Sequence, residues 1–177
     1  KITSGIRGVG PELPYDAIVV DGFSTGHFVA LMAVPKGMHE IVRFGPMGEH
    51  SRRIDKVIRD HDLTKFFIVT IAEELPVTEA IELQHSLKDL LGQDAHFVCN
   101  RVIESPVDMV DLKELHQRVP GNEFIEFLLQ VQKKQGQSLE DLRRIQDKPI
   151  SLPFSFQPHG EDRDFQLAQE EVWPSMS

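Results

Sequence analysis

The sequence predicts an α/β fold with a mostly parallel sheet flanked by helices. Three observations lead there. Four short runs, 17–20, 66–71, 96–99 and 150–154, are rich in Val, Ile and Phe and do not alternate with polar residues. Continuous apolar runs of that length suit strands covered on both faces. Helical patterns lie between the runs, and strands alternating with helices call for right-handed crossovers between parallel neighbours. The first run also ends in an acid followed by a small-residue turn, "VVDGFSTGHF", and ligands of open α/β sheets bind just beyond such strand ends.

Taken in order, run 17–20 is the first expected strand, and residues 51–61 read as a helix with Ile54, Val57 and Ile58 inward. Run 66–71 is the second strand. "PVTEAIELQHSLKDLLG" then opens on Pro76 and closes on Gly92, with Val77, Ala80, Ile81, Leu87, Leu90 and Leu91 mostly on one face. Run 96–99 is the third strand. Residues 121–136 and 138–145 read as two further helices, the second opened by a capping-box-like pair, Ser138 and Asp141. Run 150–154 is the last strand. Residues 1–156 are expected to form one α/β domain, with a short helical insert at about 31–61. Residues 157–177 form an acidic tail, with five acids against one arginine.

Composition narrows the function. The 177 residues carry a net charge of −9, which argues against broad nucleic-acid binding, since that needs clustered Lys and Arg. Arg52, Arg53 and Lys56 form a local basic spot, but Glu49 and Asp55 dilute it and it reads as a solvated helix face. No apolar stretch approaches the roughly 20 residues that span a bilayer. The single cysteine, Cys99, excludes an intrachain disulfide and a Cys-rich metal site within the chain, and a cytoplasmic, reducing setting is expected. The eight histidines are scattered, with no H-E-x-x-H.

The chemistry concentrates at two strand ends. An acid such as Asp21 at the end of a buried strand is placed to hold Mg²⁺, often through water, while the next turn senses a terminal phosphate. Thr25 and Gly26 could supply backbone N–H groups, and His27 could order water. Gly22 and Gly26 would let the turn move. The same residues also suit a plain reading, in which Ser24 or Thr25 caps the following helix. Asn100 closes the third strand, and its amide has the donors and acceptor needed to read an adenine edge, although Asn is also a routine turn residue. "GIRGVGPELP" is not a phosphate loop, because it has no Lys followed by Ser or Thr and runs into "PELP".

Together "YDAIVVDGFSTGHFVALMAVP" (15–35), "FGPMGEHSRRI" (44–54), "VTIAEELPVTEAIEL" (69–83) and "VCNRVI" (98–103) resemble, in content and order, the arsenical pump-driving, or anion-transporting, ATPases, which are related to the tail-anchored-protein targeting ATPase. The resemblance covers about 15–156. It implies the C-terminal half of a P-loop hydrolase domain of deviant Walker A type, with ATP and Mg as cofactors. Asp21 would be the acid of the second nucleotide switch, with Thr25, Gly26 and His27 in the same loop. Asn100 would meet adenine, and Pro153 and Phe154 would lie near the base. The family works as a dimer that closes around two nucleotides, so a homodimer or an upstream nucleotide-binding half is the expected partner. A membrane-protein partner or client is a further one, with Met32, Met38 and Met47 in the insert as adaptable apolar contacts.

The family's phosphate loop and first switch are not in the sequence, nor are the cysteines that bind arsenite in the pump. Because the first residue is Lys1, upstream sequence is expected, and these residues alone are not expected to hydrolyse ATP. Two alternatives stay open. One is a non-catalytic interaction subunit that has lost the nucleotide-binding half, and the other an unrelated α/β binding domain.

Overall fold

The computed structural model describes residues 17–154 apart from 23, 43 and 106; the acidic tail and "GIRGVGPELP" lie outside this range. The chain divides into two compact units, Lys1–Lys65 with His85–Asp94, and Phe66–Gln84 with Ala95–Ser177.

The first unit is helical. Helix α1 (Thr25–Ile41) packs on α2 (Pro46–Arg59). α2 begins five residues before the helix expected at 51–61, because Pro46 supplies a ready first turn: its fixed φ is helical and its missing N–H is not needed there. The unit's ends are tied by side chains. Gln93, buried, donates to the Ile58 carbonyl at 2.8 Å, and the Thr64 hydroxyl donates to the Val57 carbonyl at 2.8 Å.

The second unit holds the sheet. β1 (Phe67–Ile71), β2 (His96–Val102) and β3 (Ile150–Pro153) lie side by side in chain order, all parallel. α3 (Glu74–Leu91) connects the first pair; α4 (Met109–Arg118) and α5 (Glu123–Ile145) connect the second. α/β architecture with a parallel sheet is therefore the fold, compatible with part of a P-loop-type domain.

Three of the four expected strands form. Residues 17–20 do not: they pair with no strand among the described residues, and Val19 is 95% exposed. An apolar β-branched run becomes a strand only where a neighbour takes its backbone N–H and C=O groups, and none does so here. The expectation of two covered faces holds only for the central strand, where Phe97, Val98 and Cys99 are buried in succession. On β1 burial alternates, with Ile68 and Thr70 inside and Phe67 and Val69 outside.

α3 starts two residues earlier than its sequence pattern suggests, since a Pro in the first turn costs no hydrogen bond. Its buried line is Val77, Ala80, Gln84, Leu87 and Leu91, the three-and-four spacing of one helix face. Gln84 is a polar member of that line, made tolerable because its Oε1 accepts the Ala95 N–H at 2.8 Å. Gly92 takes a φ of +74° just past the last turn, as a helix-ending glycine does.

α5 is one 23-residue helix where two were expected. Gly136 does not break it, and Ser138, read as a cap, is a buried residue of its interior. The true cap is Asn122, whose Oδ1 accepts from the N–H groups of Phe124 and Ile125. α4 was not anticipated, and Asp108 caps it in the same way at Val110 and Asp111.

α5 also finishes the central strand. β3 pairs with β2 only from Val98 onward, so the Phe97 N–H lies beyond that ladder, and Gln146 Oε1 accepts it at 2.8 Å. Past the other end, Gln135 Oε1 accepts the Ile103 N–H at 2.9 Å, and its Nε2 donates to the Ile103 carbonyl at 3.0 Å. Gln135→Met keeps the length and removes both bonds. It should lower stability by about 1–3 kcal/mol, read as a lower urea midpoint at an unchanged slope; a midpoint equal to wild type would show that water replaces the clamp.

Candidate functional site

Asp21, Thr25, Gly26 and His27 fall in the first unit, and Asn100, Pro153 and Phe154 in the second. Asp21 is exposed and lies in no helix or strand. Thr25, Gly26 and His27 are not in a loop. They form the first turn of α1, so the backbone expected to flex is committed to a helix. Ser24 occupies the N-cap position without a capping bond. Instead its Oγ shares a 3.1 Å hydrogen bond with His27 Nδ1. Gly22 serves packing rather than movement, since a Cβ there would lie 3.0 Å from the Phe28 ring. The glycine lets that ring close over the backbone next to Asp21. In this arrangement the first-turn N–H groups of α1, unsatisfied by the helix itself, follow closely on a free-standing carboxylate.

Mg²⁺ takes near-octahedral oxygen ligands and keeps several waters, so one or two carboxylates with substrate phosphates suffice. A single exposed Asp21 suits that pattern. Among the described residues no group of three His, Cys, Asp or Glu side chains could hold a metal by itself.

In the second unit the sheet's carboxyl edge places Pro153 and Phe154 beside Val102, and of the residues expected there only Phe154 lines the cavity at this edge. Pro153 is in register with Val102, and the Phe154 N–H donates to the Val102 carbonyl at 2.8 Å. Asn100 sits two residues before that point on the same strand. The edge opens into a cavity of about 1480 Å³, lined by Ile71 from β1, Arg101 and Ile103 from the end of β2, α5 from Val131 to Ser138, and Phe154. The start of α3 contributes Glu73 and Glu74 to the same wall. Those carboxylates sit where the helix dipole would otherwise attract an anion, while Lys133 and Lys134 of α5 line the same cavity, so its lining is mixed in charge.

Asn100 is not free to read a ligand as expected from the sequence, because its Oδ1 already accepts the Arg101 N–H at 2.9 Å. Its amide NH₂ and the oxygen's second lone pair remain for another partner. The residue that sequence reasoning missed is its neighbour. Arg101 has a φ of +57°, and it is the non-glycine residue with positive φ among the described residues. The β2–β3 register also shifts between Cys99 and Val102. No sequence signal marks an arginine for the left-handed region; the Asn before it, whose side chain bonds the next N–H, is the nearest to one.

One strand position earlier, Cys99 is fully buried, and burial pushes its thiol up to about 11. It is therefore a core residue and not a nucleophile. Because the folded value lies above the unfolded one, the neutral thiol's contribution is complete below the unfolded pKa of 9.0 and is lost as pH rises towards 11. Native protein at pH 8 should react with a thiol reagent only at the rate of unfolding, and with one equivalent once in denaturant. Rapid labelling of the native form would contradict the burial.

No protein-family model matches the chain. In sequence it is similar to the protein of Mycobacterium tuberculosis named ATPase BagA, with 31% identity over 102 residues. A Mycobacterium bovis protein provisionally named as an ATPase matches equally. The matched stretch covers 57% of this chain but only 30% of each relative, so the chain spans well under two thirds of their length.

Proposed function

We propose that this chain is part of an ATP-binding switch ATPase of the anion-transporting type. The observation that supports the proposal is a cavity at the carboxyl edge of a parallel sheet, lined by Arg101 and Phe154, the chain neighbours of Asn100 and Pro153. Similarity to proteins named ATPase supports it. In this reading the edge holds the adenine base. Asp21 would hold a magnesium ion through water, and that ion would supply positive charge beside the transferred phosphate. The first-turn N–H groups of Thr25 and Gly26 donate towards the phosphate, and His27, oriented by Ser24, orders water beside it. The phosphate loop belongs to sequence outside these residues or to a partner. A dimer that closes around nucleotide would couple the switch to a membrane pump or client. The test is magnesium-dependent ATP hydrolysis by the longest native polypeptide that carries this sequence; neither binding nor turnover of Mg-ATP there would sink the proposal.

A second reading, an interaction subunit without catalysis, is favoured by the exposed Phe67 and Val69 on β1 of the sheet. It predicts stable association with a partner and no turnover by either nucleotide or metal addition.

A further inference from the structure

We propose that Arg101 is the specificity-determining residue of the carboxyl-edge cavity, its guanidinium lying flat on the face of the nucleotide base. The inference rests on the reading of this edge as a nucleotide site and extends it to a residue with no role there so far. Three features single Arg101 out, the first two being aspects of one local irregularity. Its backbone is in the left-handed region, a conformation that an L-residue with a long side chain adopts at a cost and that concentrates at functional sites. It sits at a register irregularity of the central strand, the kind of feature that re-aims a side chain beside a site. Its side chain lines the cavity together with Phe154.

The strained conformation is also actively held. Asn100 accepts the Arg101 N–H from one side, and two residues on, Gln135 grips both backbone groups of Ile103. A fixed backbone of this kind places a side chain at low entropic cost. The chemistry of the wall then selects what the side chain meets. Arg144, on the same wall, is already paired with Asp141 at 2.9 Å, whereas among the described residues Arg101 makes no ion pair. The cavity lining is mixed in charge, with Glu73 and Glu74 on one side and Lys133 and Lys134 on the other. A planar, weakly hydrated cation suits an aromatic face, and Phe154 offers a second flat surface on the same cavity.

The experiment compares wild type, Arg101→Lys and Arg101→Gly in the native polypeptide, by calorimetric titration with adenosine and with Mg-ATP, and by thermal melting. Lysine keeps the charge and loses the plane; glycine loses both and relieves the strain. Both variants should bind adenosine and Mg-ATP about 3- to 10-fold more weakly, while Arg101→Gly melts about 2–4 °C higher. A loss with Mg-ATP but not with adenosine would place the guanidinium on phosphate and overturn the inference. So would equal affinities, or a glycine variant that melts lower as it binds more weakly, which would mark a merely structural residue. Failure of wild type to bind either ligand would instead overturn the nucleotide reading itself.

Discussion

Phe97→Ala should destabilise the fold by about 3–5 kcal/mol, the largest effect expected of any single substitution here. Phe97 lies near the start of the central strand, opposite Ile68 in register, and is fully buried. Truncation removes the transfer free energy of the ring and leaves a cavity that its surroundings fill only in part. The backbone cannot shift to fill it either, because Gln146 holds the Phe97 N–H. A domain is typically stable by only about 5–15 kcal/mol, so the alanine variant sits near the limit of folding, and Phe97→Leu provides a milder companion at a fraction of the cost. The control is Phe124→Ala, since Phe124 is 67% exposed and its loss should stay within about 0.5 kcal/mol. Urea unfolding of the three variants checks the ranking. Equal midpoints for Phe97→Ala and Phe124→Ala would mean that the core is elsewhere.

Asp21→Asn should lower ATP turnover of the native polypeptide by about 10- to 100-fold, the usual cost of losing a group that orients a metal's ligands from behind. Asparagine keeps the shape and one acceptor oxygen, and loses the charge that holds magnesium-bound water. Because Asp21 is exposed and outside the sheet, the melting temperature should not move, which separates a loss of chemistry from a loss of fold. Turnover equal to wild type would remove Asp21 from the mechanism and leave Asn100 and Phe154 without a catalytic partner in this chain.

What the sequence disclosed depended on how local the cause was. The strands at 67–71, 96–102 and 150–153 were legible because runs of branched and aromatic residues suit a pleated, covered surface. Residues 17–20 have the same composition and failed, since pairing is a property of the neighbour and not of the run. The fusion of two expected helices into α5 turned on Gly136, which a sequence rule treats as a stop but whose cost, about 1 kcal/mol relative to Ala, the burial of Ser138 and Leu142 outweighs. α4 hid because only Leu112 of its ten residues is buried, too little to show a period. At the candidate site the last strand was legible, and it puts Pro153 in register with Val102, with the Phe154 N–H bonded to the Val102 carbonyl. The turn of Arg101 into the left-handed region was not legible, because its one local sign is the Asn before it, and the grip of Gln135 on Ile103 was not, because it joins residues far apart in sequence.

The alternating burial of β1 has a consequence for the life of the polypeptide in solution. β1 ends the sheet's strand order, and Phe67 and Val69 are on its outward side. The six residues "FFIVTI" (66–71) combine high strand propensity with no charge and no proline, the makeup of segments that stack into fibrils. Whatever shields this edge during synthesis therefore also guards against self-assembly, and a chain released without that cover would be lost to insoluble aggregates in proportion to its concentration.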